Sequence, residues 1–532
     1  MLPPSLQPDD TLALAPTHPG ANAKTLALKR VEQLAPVNRW IYAVGVAMFA
    51  LLMALSGRYG FHRDELYFLD CARHLQASYV DQPVFTPLVA WVSLKLFGVS
   101  VVGLRLWAAL AAFGSVVLGG LLAREFGGGR FAQLLGALGV ATAPAYLGAN
   151  HLLETTSFDL LAWPALALLI VRIGRIGDRR LFVPAGVVLG LGLANKHSIA
   201  FFAVAVVLGT VLSGGWRVVA NRYAAAGLVI ALLFTMPDLW WQAGHGWATI
   251  AMTRALAQQN GGLGNGLSFI GSQFFMAAPV LIGVWCIGLR ALWRSGVPLW
   301  RGLAWAYGIL IVFFAATSGA KPYYVAALYP ILIGAGAVVL ERRWFDPSVA
   351  ALRAGRLRLL SIALAVSVVV SLPLTLPVLP ARLGAKFTPV NPVPAETIGW
   401  SEFVHTVATV WHSLPAQQRA GAVIFTGNYG EVGAINELGT SDGLPPAVSG
   451  QNSEWFWGPG NPHATTVVVV LPGNASTAKV HSIISLFAHV RVAATIHNDE
   501  GVSNQEEGGH VYVCTGPVRS WGAVWPSLRH YD

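Results

Sequence analysis

The chain has 532 residues, of which 55% are hydrophobic and 11% charged, and its mean hydropathy is +0.56. These values exclude an ordinary soluble enzyme and predict a polytopic α-helical membrane protein. The net charge of +10 does not indicate nucleic-acid binding, because the arginines concentrate in every second connection, as the positive-inside rule requires of cytoplasmic loops. Three widely separated cysteines predict no structural disulfide and no cysteine metal site.

Residues 1–35 are polar and proline-rich, and we expect a disordered cytoplasmic tail there. A membrane domain is predicted over residues 36–380, with its first span near residues 40–56. Residues 83–97 are apolar but short and carry Lys95, which favours a helix on the membrane surface. Further apolar runs bring the total to about eleven predicted spans, near residues 102–123, 131–150, 155–172, 181–195, 198–214, 223–242, 267–289, 302–318, 322–340 and 358–379.

The composition changes after about residue 380. Four strand-like runs bounded by Gly, Pro or Asn alternate with helix-like stretches, near residues 422–427, 465–472, 490–496 and 510–516. They predict a soluble C-terminal α/β domain over residues 381–532. An odd number of spans and a cytoplasmic N-terminus place this domain on the extracytoplasmic side. We interpret the glycine-flanked turn that follows the first run, residues 427–430, as structural.

The predicted first external loop, residues 57–101, carries an unusual density of charge. Charged groups that are not fully hydrated cost free energy unless they are paired, so such a cluster at a membrane boundary indicates a working cavity. Asp64 and Glu65 are candidate catalytic acids, because a partly desolvated carboxylate near cations can take a proton from an attacking hydroxyl. Asp81 could pair with a cation, bind a metal or orient an acceptor. The alternative is that Asp64 and Arg63 only pair with neighbours in the loop.

Basic side chains near the other predicted outer turns break the arginine pattern. Lys196, Arg254 and Lys321 could each be snorkelling to the interface, but together they favour a shared anionic site on the outer face. Glu154 and Asp159 could add to the same cavity. Asp159 could equally be a buried residue paired with a neighbouring helix.

Two stretches of the membrane part carry a resemblance to a known family. Asp64-Glu65-Leu-Tyr followed by Asp81-Gln82-Pro83, just after a first transmembrane helix, resembles the first external loop of GT-C class integral-membrane glycosyltransferases. The closer resemblance is to family 39, in the branch that contains protein O-mannosyltransferases and lipid A aminoarabinose transferases. The stretch Lys321–Pro330, KPYYVAALYP, is similar to a Lys-Tyr-Pro stretch of those enzymes. The resemblance covers roughly residues 35–380.

The resemblance implies an inverting glycosyltransferase in a bacterial inner membrane that uses a polyprenyl-phosphate sugar donor. The acceptor hydroxyl, on a glycan, lipid or protein, would be on the outer face. Carried over, Asp64 would be the general base or an acid that orients the acceptor, and cations would stabilise the departing lipid phosphate. The implied phosphate-binding residues are Arg63, Lys321, Tyr324, Lys196 and Arg254, and the implied cavity residues include His62, Gln82, Glu154 and Asp159.

One position departs from the family pattern. The aminoarabinose transferases have a lysine after the second acidic residue, where this chain has Gln82. A contact to the donor phosphate is therefore missing or supplied elsewhere, and the sugar cannot be inferred. A divalent metal held by Asp81 and a histidine also stays open, because no ligand spacing diagnoses it.

Two other classes of protein are compatible with parts of the pattern. A transporter or flippase for an anionic or lipid-linked substrate would also hold charges among its spans, but two similar halves are not visible and the acids lie in one outer loop. A receptor or assembly factor acting through the C-terminal domain would keep its function after Asp64→Asn.

Overall fold

The structure is a computed structural model that describes Leu28, Arg30 and residues 33–259, 263–317 and 320–531. The predicted tail, residues 1–35, lies almost wholly outside these ranges. Helices account for the described part as far as residue 375. They are α1 (Trp40–Leu55), α2 (Arg63–Arg73), α3 (Phe85–Phe97), α4 (Val101–Glu125), α5 (Arg130–Ala141), α6 (Pro144–Ala149), α7 (Thr155–Ile176), α8 (Phe182–Asn195), α9 (Ser198–Leu212), α10 (Trp216–Val219), α11 (Arg222–Gly244), α12 (Ala248–Gln259), α13 (Leu263–Met276), α14 (Ile282–Trp293), α15 (Pro298–Ala316), α16 (Tyr329–Trp344) and α17 (Ala350–Thr375).

The helices confirm a polytopic membrane fold. Within the described ranges, six helical segments are long and apolar enough to cross a bilayer, or up to seven if a bent pair counts as one span. Four shorter apolar helices accompany them, at Trp40–Leu55, Phe85–Phe97, Arg130–Ala141 and Ser198–Leu212. A helix therefore lies at each predicted span, although several are shorter than the thickness of a bilayer requires.

Two predicted spans are not continuous helices. The predicted span over residues 267–289 is bent, because the helical segments Gly264–Met276 and Pro279–Trp293 meet at an angle of 87°. Ala278 has a φ of +57° at this break, and Pro279 has no backbone N–H to continue a helix. The predicted span over residues 131–150 likewise divides into α5 and α6, where Pro144 begins the second helix.

The C-terminal part contains a five-stranded sheet, β1 (Val423–Thr426), β2 (Ala447–Ser449), β3 (Thr466–Leu471), β4 (Phe487–Thr495) and β5 (His510–Pro517). The strand order is β2-β1-β3-β5-β4, with β1 parallel to β2 and β3, and β5 antiparallel to β3 and β4. The helices around it are α18 (Ala381–Gly384), α19 (Trp400–Ser413), α20 (Ala416–Arg419), α21 (Tyr429–Leu438), α22 (Glu454–Trp457), α23 (Thr477–Ile484) and α24 (Trp521–Val524). The predicted α/β domain is confirmed, with one short strand, β2, that the sequence did not indicate.

The C-terminal sheet domain packs directly on the charged external loop. Helix α2 contacts α21, and a hydrophobic core joins Leu66 and Leu69 of α2 to Phe403 and Ile435 of the sheet domain. Gly433 permits the close approach, because a Cβ atom there would lie 2.7 Å from the backbone of Leu66. The loop of residues 57–101, which the sequence predicts to be external, is therefore held between the membrane helices and the C-terminal domain.

Candidate active site

A polar cavity of about 190 Å³ lies where the external loop, the membrane helices and the C-terminal domain meet. It is open on one side. Its lining combines three carboxylates, one lysine and several tyrosines and amides. The lining residues are Asp64, Tyr67, Phe68, Asp81, Gln82, Glu154, Thr155, Thr156, Lys196, Met252, Tyr323, Tyr429 and Asn452.

Asp64 stands in the first turn of α2, with about a third of its side chain exposed to the cavity and solvent. The hydroxyl of Tyr429 donates a hydrogen bond of 2.8 Å to Asp64 Oδ1. The Arg63 guanidinium lies 4.7 Å from the centre of the Tyr429 ring, and its Nε is 3.8 Å from Asp64 Oδ1. Asp64 thus keeps an oxygen available to a ligand while a tyrosine from the C-terminal domain orients the other.

Glu154 faces Asp64 across the cavity, just before α7 begins. Burial, together with the negative charge of Asp64, raises the pKa of Glu154 to about 7, against the opposing effects of His62 and Lys196. One carboxyl oxygen of each acid and a ring nitrogen of His62 lie within 4.8 Å of one another. The two acids therefore lie close together, and Glu154 exchanges its proton near neutral pH.

Asp81 is the third carboxylate of the lining. Burial raises its pKa to about 6, although the Tyr67 hydroxyl, which donates to Asp81 Oδ1 at 2.7 Å, opposes the shift. The negative charge of Asp64 adds to the increase. Raised pKa values of this kind are typical of carboxyl groups that exchange protons near neutral pH.

Lys196 supplies the positive charge of the cavity. It follows α8, and its Nζ donates to Thr156 Oγ1 at 3.2 Å and lies 5.2 Å from the centre of the Tyr323 ring. Burial lowers the pKa of Lys196, while Asp159, Glu154 and Asp64 oppose that shift. A partly desolvated ammonium between a carboxylate pair and aromatic faces is a suitable partner for a phosphate group.

Glu65, predicted as a second catalytic acid, is fully buried and does not line the cavity. Arg105 of α4 donates to both of its oxygens, at 2.9 and 2.8 Å. The backbone nitrogens of His62 and Leu153 also donate to Glu65, at 2.8 and 3.0 Å. Since these groups adjoin Asp64 and Glu154, Glu65 fixes the spacing of the two acids.

The same ion pair holds the end of the first membrane helix. Arg105 also donates to the backbone oxygens of Ser56 and Gly60, each at 2.7 Å. It thereby connects the C-terminal end of α1, the start of the external loop and α4. This satisfies the charge of an arginine whose side chain is only 1% exposed.

His62, Asp64 and Glu154 offer three ligand atoms close together, but His62 does not fit a metal. Burial lowers its pKa, yet the hydrogen bond to Glu396 and the surrounding carboxylates outweigh burial and raise the pKa to about 9. Its Nε2 lies 3.0 Å from Glu396, and its Nδ1 lies 3.2 Å from the backbone nitrogen of Asp64. Nε2 faces Glu396 and Nδ1 accepts the Asp64 N–H, so neither ring nitrogen is free for a metal ion. The divalent ion that the sequence left open stays a prediction.

Other predicted site residues lie outside the lining. Lys321 and Arg254 are exposed side chains. Arg63 is not a lining residue, but it contacts two that are, Asp64 and Tyr429. Asp159 accepts hydrogen bonds from Trp163 and Ser198, at 2.8 and 2.7 Å, and so belongs to the helix packing, which is the alternative left open for it. Tyr324 does not line the cavity, although its ring lies 5.4 Å from Lys196 Nζ.

The lining also contains residues that the sequence did not single out. Tyr429 and Asn452 come from the C-terminal domain, and Thr156 from the start of α7. The glycine-flanked turn before Tyr429 was interpreted as structural. It does begin α21, where Asn428 and Glu431 form reciprocal capping hydrogen bonds. The same turn also aims Tyr429 at Asp64, and no local signal in the sequence reveals that contact.

Comparison with known proteins agrees with this architecture. Residues 81–241 match the family model described as dolichyl-phosphate-mannose-protein mannosyltransferase. Over 257 residues the chain is 23% identical to the lipid A galacturonosyltransferase RgtD of Rhizobium johnstonii, covering 47% of this chain. The chain spans about half the length of that curated relative, 53%.

Solved structures extend the likeness to most of the chain. The crystal structure of ArnT from Cupriavidus metallidurans bound to undecaprenyl phosphate superposes with a TM-score of 0.60 at 15% identity, covering 89% of this chain and 97% of ArnT. The apo ArnT structure gives a TM-score of 0.58 at 17% identity with the same coverage. The chain therefore has the GT-C fold of ArnT, in the membrane helices and the C-terminal domain together.

Proposed function

We propose that the chain is a membrane glycosyltransferase that moves a sugar from a polyprenyl phosphate to an acceptor hydroxyl. The observation that carries the proposal is the cavity in which the Asp64–Glu154 pair faces Lys196. The similarity to a lipid A galacturonosyltransferase and the fold shared with an ArnT that binds undecaprenyl phosphate support the lipid-linked donor. We place the site on the outer face of a bacterial inner membrane, with the N-terminus cytoplasmic and the C-terminal domain outside.

In the proposed reaction, the acceptor oxygen attacks the anomeric carbon from the side opposite the phosphate, and the configuration at that carbon inverts. The bond between the anomeric carbon and the phosphate oxygen breaks, and its electron pair leaves with the phosphate. Asp64 takes the proton of the acceptor hydroxyl as general base. Lys196 binds the phosphate and stabilises the charge that develops on it, so the departing group needs no proton.

The remaining residues position these groups. The Tyr429 hydroxyl holds one oxygen of Asp64 and leaves the other for the acceptor. Glu65 and Arg105 fix the distance between Asp64 and Glu154 through the backbone of the adjoining residues. Accurate spacing of this kind matters because a shift of about 1 Å in a reacting group can cost about 10²-fold in rate.

Replacing Lys196 tests the assignment of the phosphate site. Lys196→Met removes a charge-assisted hydrogen bond to the donor phosphate, which corresponds to about a 10- to 100-fold loss in kcat/KM for a polyprenyl-phosphate sugar. The measurement is transfer by purified protein from a radiolabelled donor. Lys321→Met is the matched control, because Lys321 is exposed and outside the cavity lining, and it should stay close to wild type. A larger loss in Lys321→Met than in Lys196→Met would contradict the assignment.

The pH dependence of transfer follows from the carboxylate pair. Below about pH 7 Glu154 holds a proton, because burial and the charge of Asp64 raise its pKa to about 7, and a protonated Glu154 can donate to the Asp64 oxygens that must accept the acceptor's proton. The rate should therefore fall as the pH drops through about 7. Glu154→Gln removes this titrating group, so the acid limb should move to lower pH. A limb that remains at pH 7 in this variant would contradict the assignment of the limb to Glu154.

A further inference from the structure

Two buried amide side chains in the cavity each have one polar atom with no hydrogen-bond partner among the described residues. Gln82 Nε2 and Asn452 Oδ1 are both enclosed and unpaired, and the two residues are 4% and 2% exposed. Both line the cavity that holds Asp64. Buried polar atoms of this kind cost free energy unless a ligand or water completes their hydrogen bonds. The lining therefore presents an unused donor and an unused acceptor, both uncharged.

The backbone around Asn452 holds its amide in place. Asn452 has a φ of +47°, a left-handed conformation that asparagine tolerates better than most residues, and its N–H donates to His530 at 3.1 Å. On one side of it, Gln451 Oε1 accepts the Tyr429 N–H at 2.7 Å. On the other, Ser453 Oγ accepts the Val80 N–H at 3.0 Å. The Asn452 amide is thus fixed relative to both Tyr429 and the Asp81 turn.

The charges of the lining exclude an acidic ligand near these amides. Among the described lining residues, Lys196 is the one cation and Asp64, Asp81 and Glu154 are acids. The segments outside the described ranges within the membrane part, 260–262 and 318–319, contain no Lys or Arg in the sequence. Once Lys196 binds the donor phosphate, a second negative charge on the sugar would face three lining carboxylates. The nearest other basic side chains, Arg63 and His62, lie outside the lining and are already engaged by Tyr429 and Glu396.

We propose that the cavity selects an uncharged, polyhydroxylated donor sugar, held through its hydroxyls by the amides of Gln82 and Asn452, and rejects a uronic acid. This inference rests on the proposed function and adds the class of sugar. It separates the chain from its relative, the lipid A galacturonosyltransferase RgtD. Neutral amides suit sugar hydroxyls because each amide can donate and accept, whereas a carboxylate on the sugar would need a cation.

The test compares two donors that differ at one carbon. The full-length protein in nanodiscs is titrated with phosphonate analogues of undecaprenyl-phosphate galactose and undecaprenyl-phosphate galacturonate. In both analogues a methylene replaces the glycosidic oxygen, so the protein cannot cleave them. Undecaprenyl phosphate alone is the third ligand. We expect the galactose analogue to bind at least about 10-fold more tightly than the galacturonate analogue.

Two variants test whether Gln82 and Asn452 are the residues that select the donor sugar. Gln82→Met removes the amide at similar size, and Asn452→Gly removes it while keeping a residue that adopts positive φ without strain. Each should weaken the galactose analogue about 5- to 10-fold and leave undecaprenyl phosphate unchanged, because only the sugar contact is lost. Thr253→Ala is the matched control, since Thr253 is an exposed neutral residue next to the lining residue Met252.

Each outcome has a definite consequence. Equal or tighter binding of the galacturonate analogue would overturn the inference while leaving the proposed function intact. Equal weakening of undecaprenyl phosphate by both variants would also overturn it, since the amides would then contact the phosphate. Failure of all three ligands to bind the wild-type protein would overturn the proposed function, and the inference with it.

Discussion

Asp64→Asn is expected to insert and fold as the wild-type protein does and to lose about 10²- to 10⁴-fold in sugar transfer, the usual contribution of a general base. The substitution keeps the size of the side chain, and the amide oxygen can still accept the Tyr429 hydroxyl that bonds Asp64 Oδ1. What it removes is the lone pair that takes the acceptor proton. The measurement is single-turnover transfer from a labelled polyprenyl-phosphate sugar, in which chemistry is separated from product release.

The control for Asp64 is a carboxylate remote from the cavity. Asp442 is exposed in the C-terminal domain and does not line the cavity, so Asp442→Asn should transfer at the wild-type rate. Donor binding by Asp64→Asn should also persist, because Lys196 is unchanged. If the Asp64→Asn protein transferred sugar at a rate near that of the control, Asp64 would not be the base and a non-enzymatic role would regain support.

Arg105→Met should lower the free energy of unfolding by about 3–5 kcal/mol, because it leaves the buried Glu65 carboxylate without its charged partner. Both side chains are at most 1% exposed, and Arg105 Nη2 lies 2.8 Å from Glu65 Oε2. Thermal unfolding in detergent, followed by tryptophan fluorescence, measures the loss. Transfer activity should fall as well, since this pair holds Asp64 and Glu154 at their spacing.

Two further variants test whether the effect of Arg105→Met comes from the burial of its ion pair with Glu65. The double variant Glu65→Leu with Arg105→Met should be more stable than Arg105→Met alone, because no unpaired charge remains. Arg382→Met breaks an exposed ion pair in which Arg382 Nε lies 3.3 Å from Glu500 Oε2. It should lower the free energy of unfolding by less than about 1 kcal/mol. A loss in Arg105→Met no larger than that in Arg382→Met would contradict the structural role of the ion pair.

The sequence predicted the class of fold, because fold class depends on local patterns, while the location of the site stays a prediction. Apolar runs predicted the membrane helices, and the concentration of charge after α1 predicted the external loop that contains Asp64 and Asp81. The bend between α13 and the helical segment that follows was missed, although Pro279 is a breaker, since the apolar pattern continues across it. Hydrophobicity alone does not report helix direction.

Roles within the site required distances that a sequence does not contain. Asp64 and Glu65 are adjacent, but successive residues of a helix point about 100° apart, so one meets the cavity and the other meets Arg105. Lys196 and Lys321 both sit near outer turns, and only the packing of α7 and α8 brings the first into the lining. Tyr429 is 365 residues from Asp64 along the chain, in a domain whose part in the site had no sequence signal.

The most direct test of the central claim is a cryo-EM structure of the Asp64→Asn protein with an undecaprenyl-phosphate sugar. We predict the phosphate on Lys196 and the anomeric carbon facing residue 64, with space for an acceptor oxygen about 3–3.5 Å from that carbon. A different cavity of about 610 Å³ lies near the start of α1 and is lined by residues that include Arg39 and Arg130. A headgroup bound there, with the cavity between Asp64 and Lys196 empty of donor, would contradict the account.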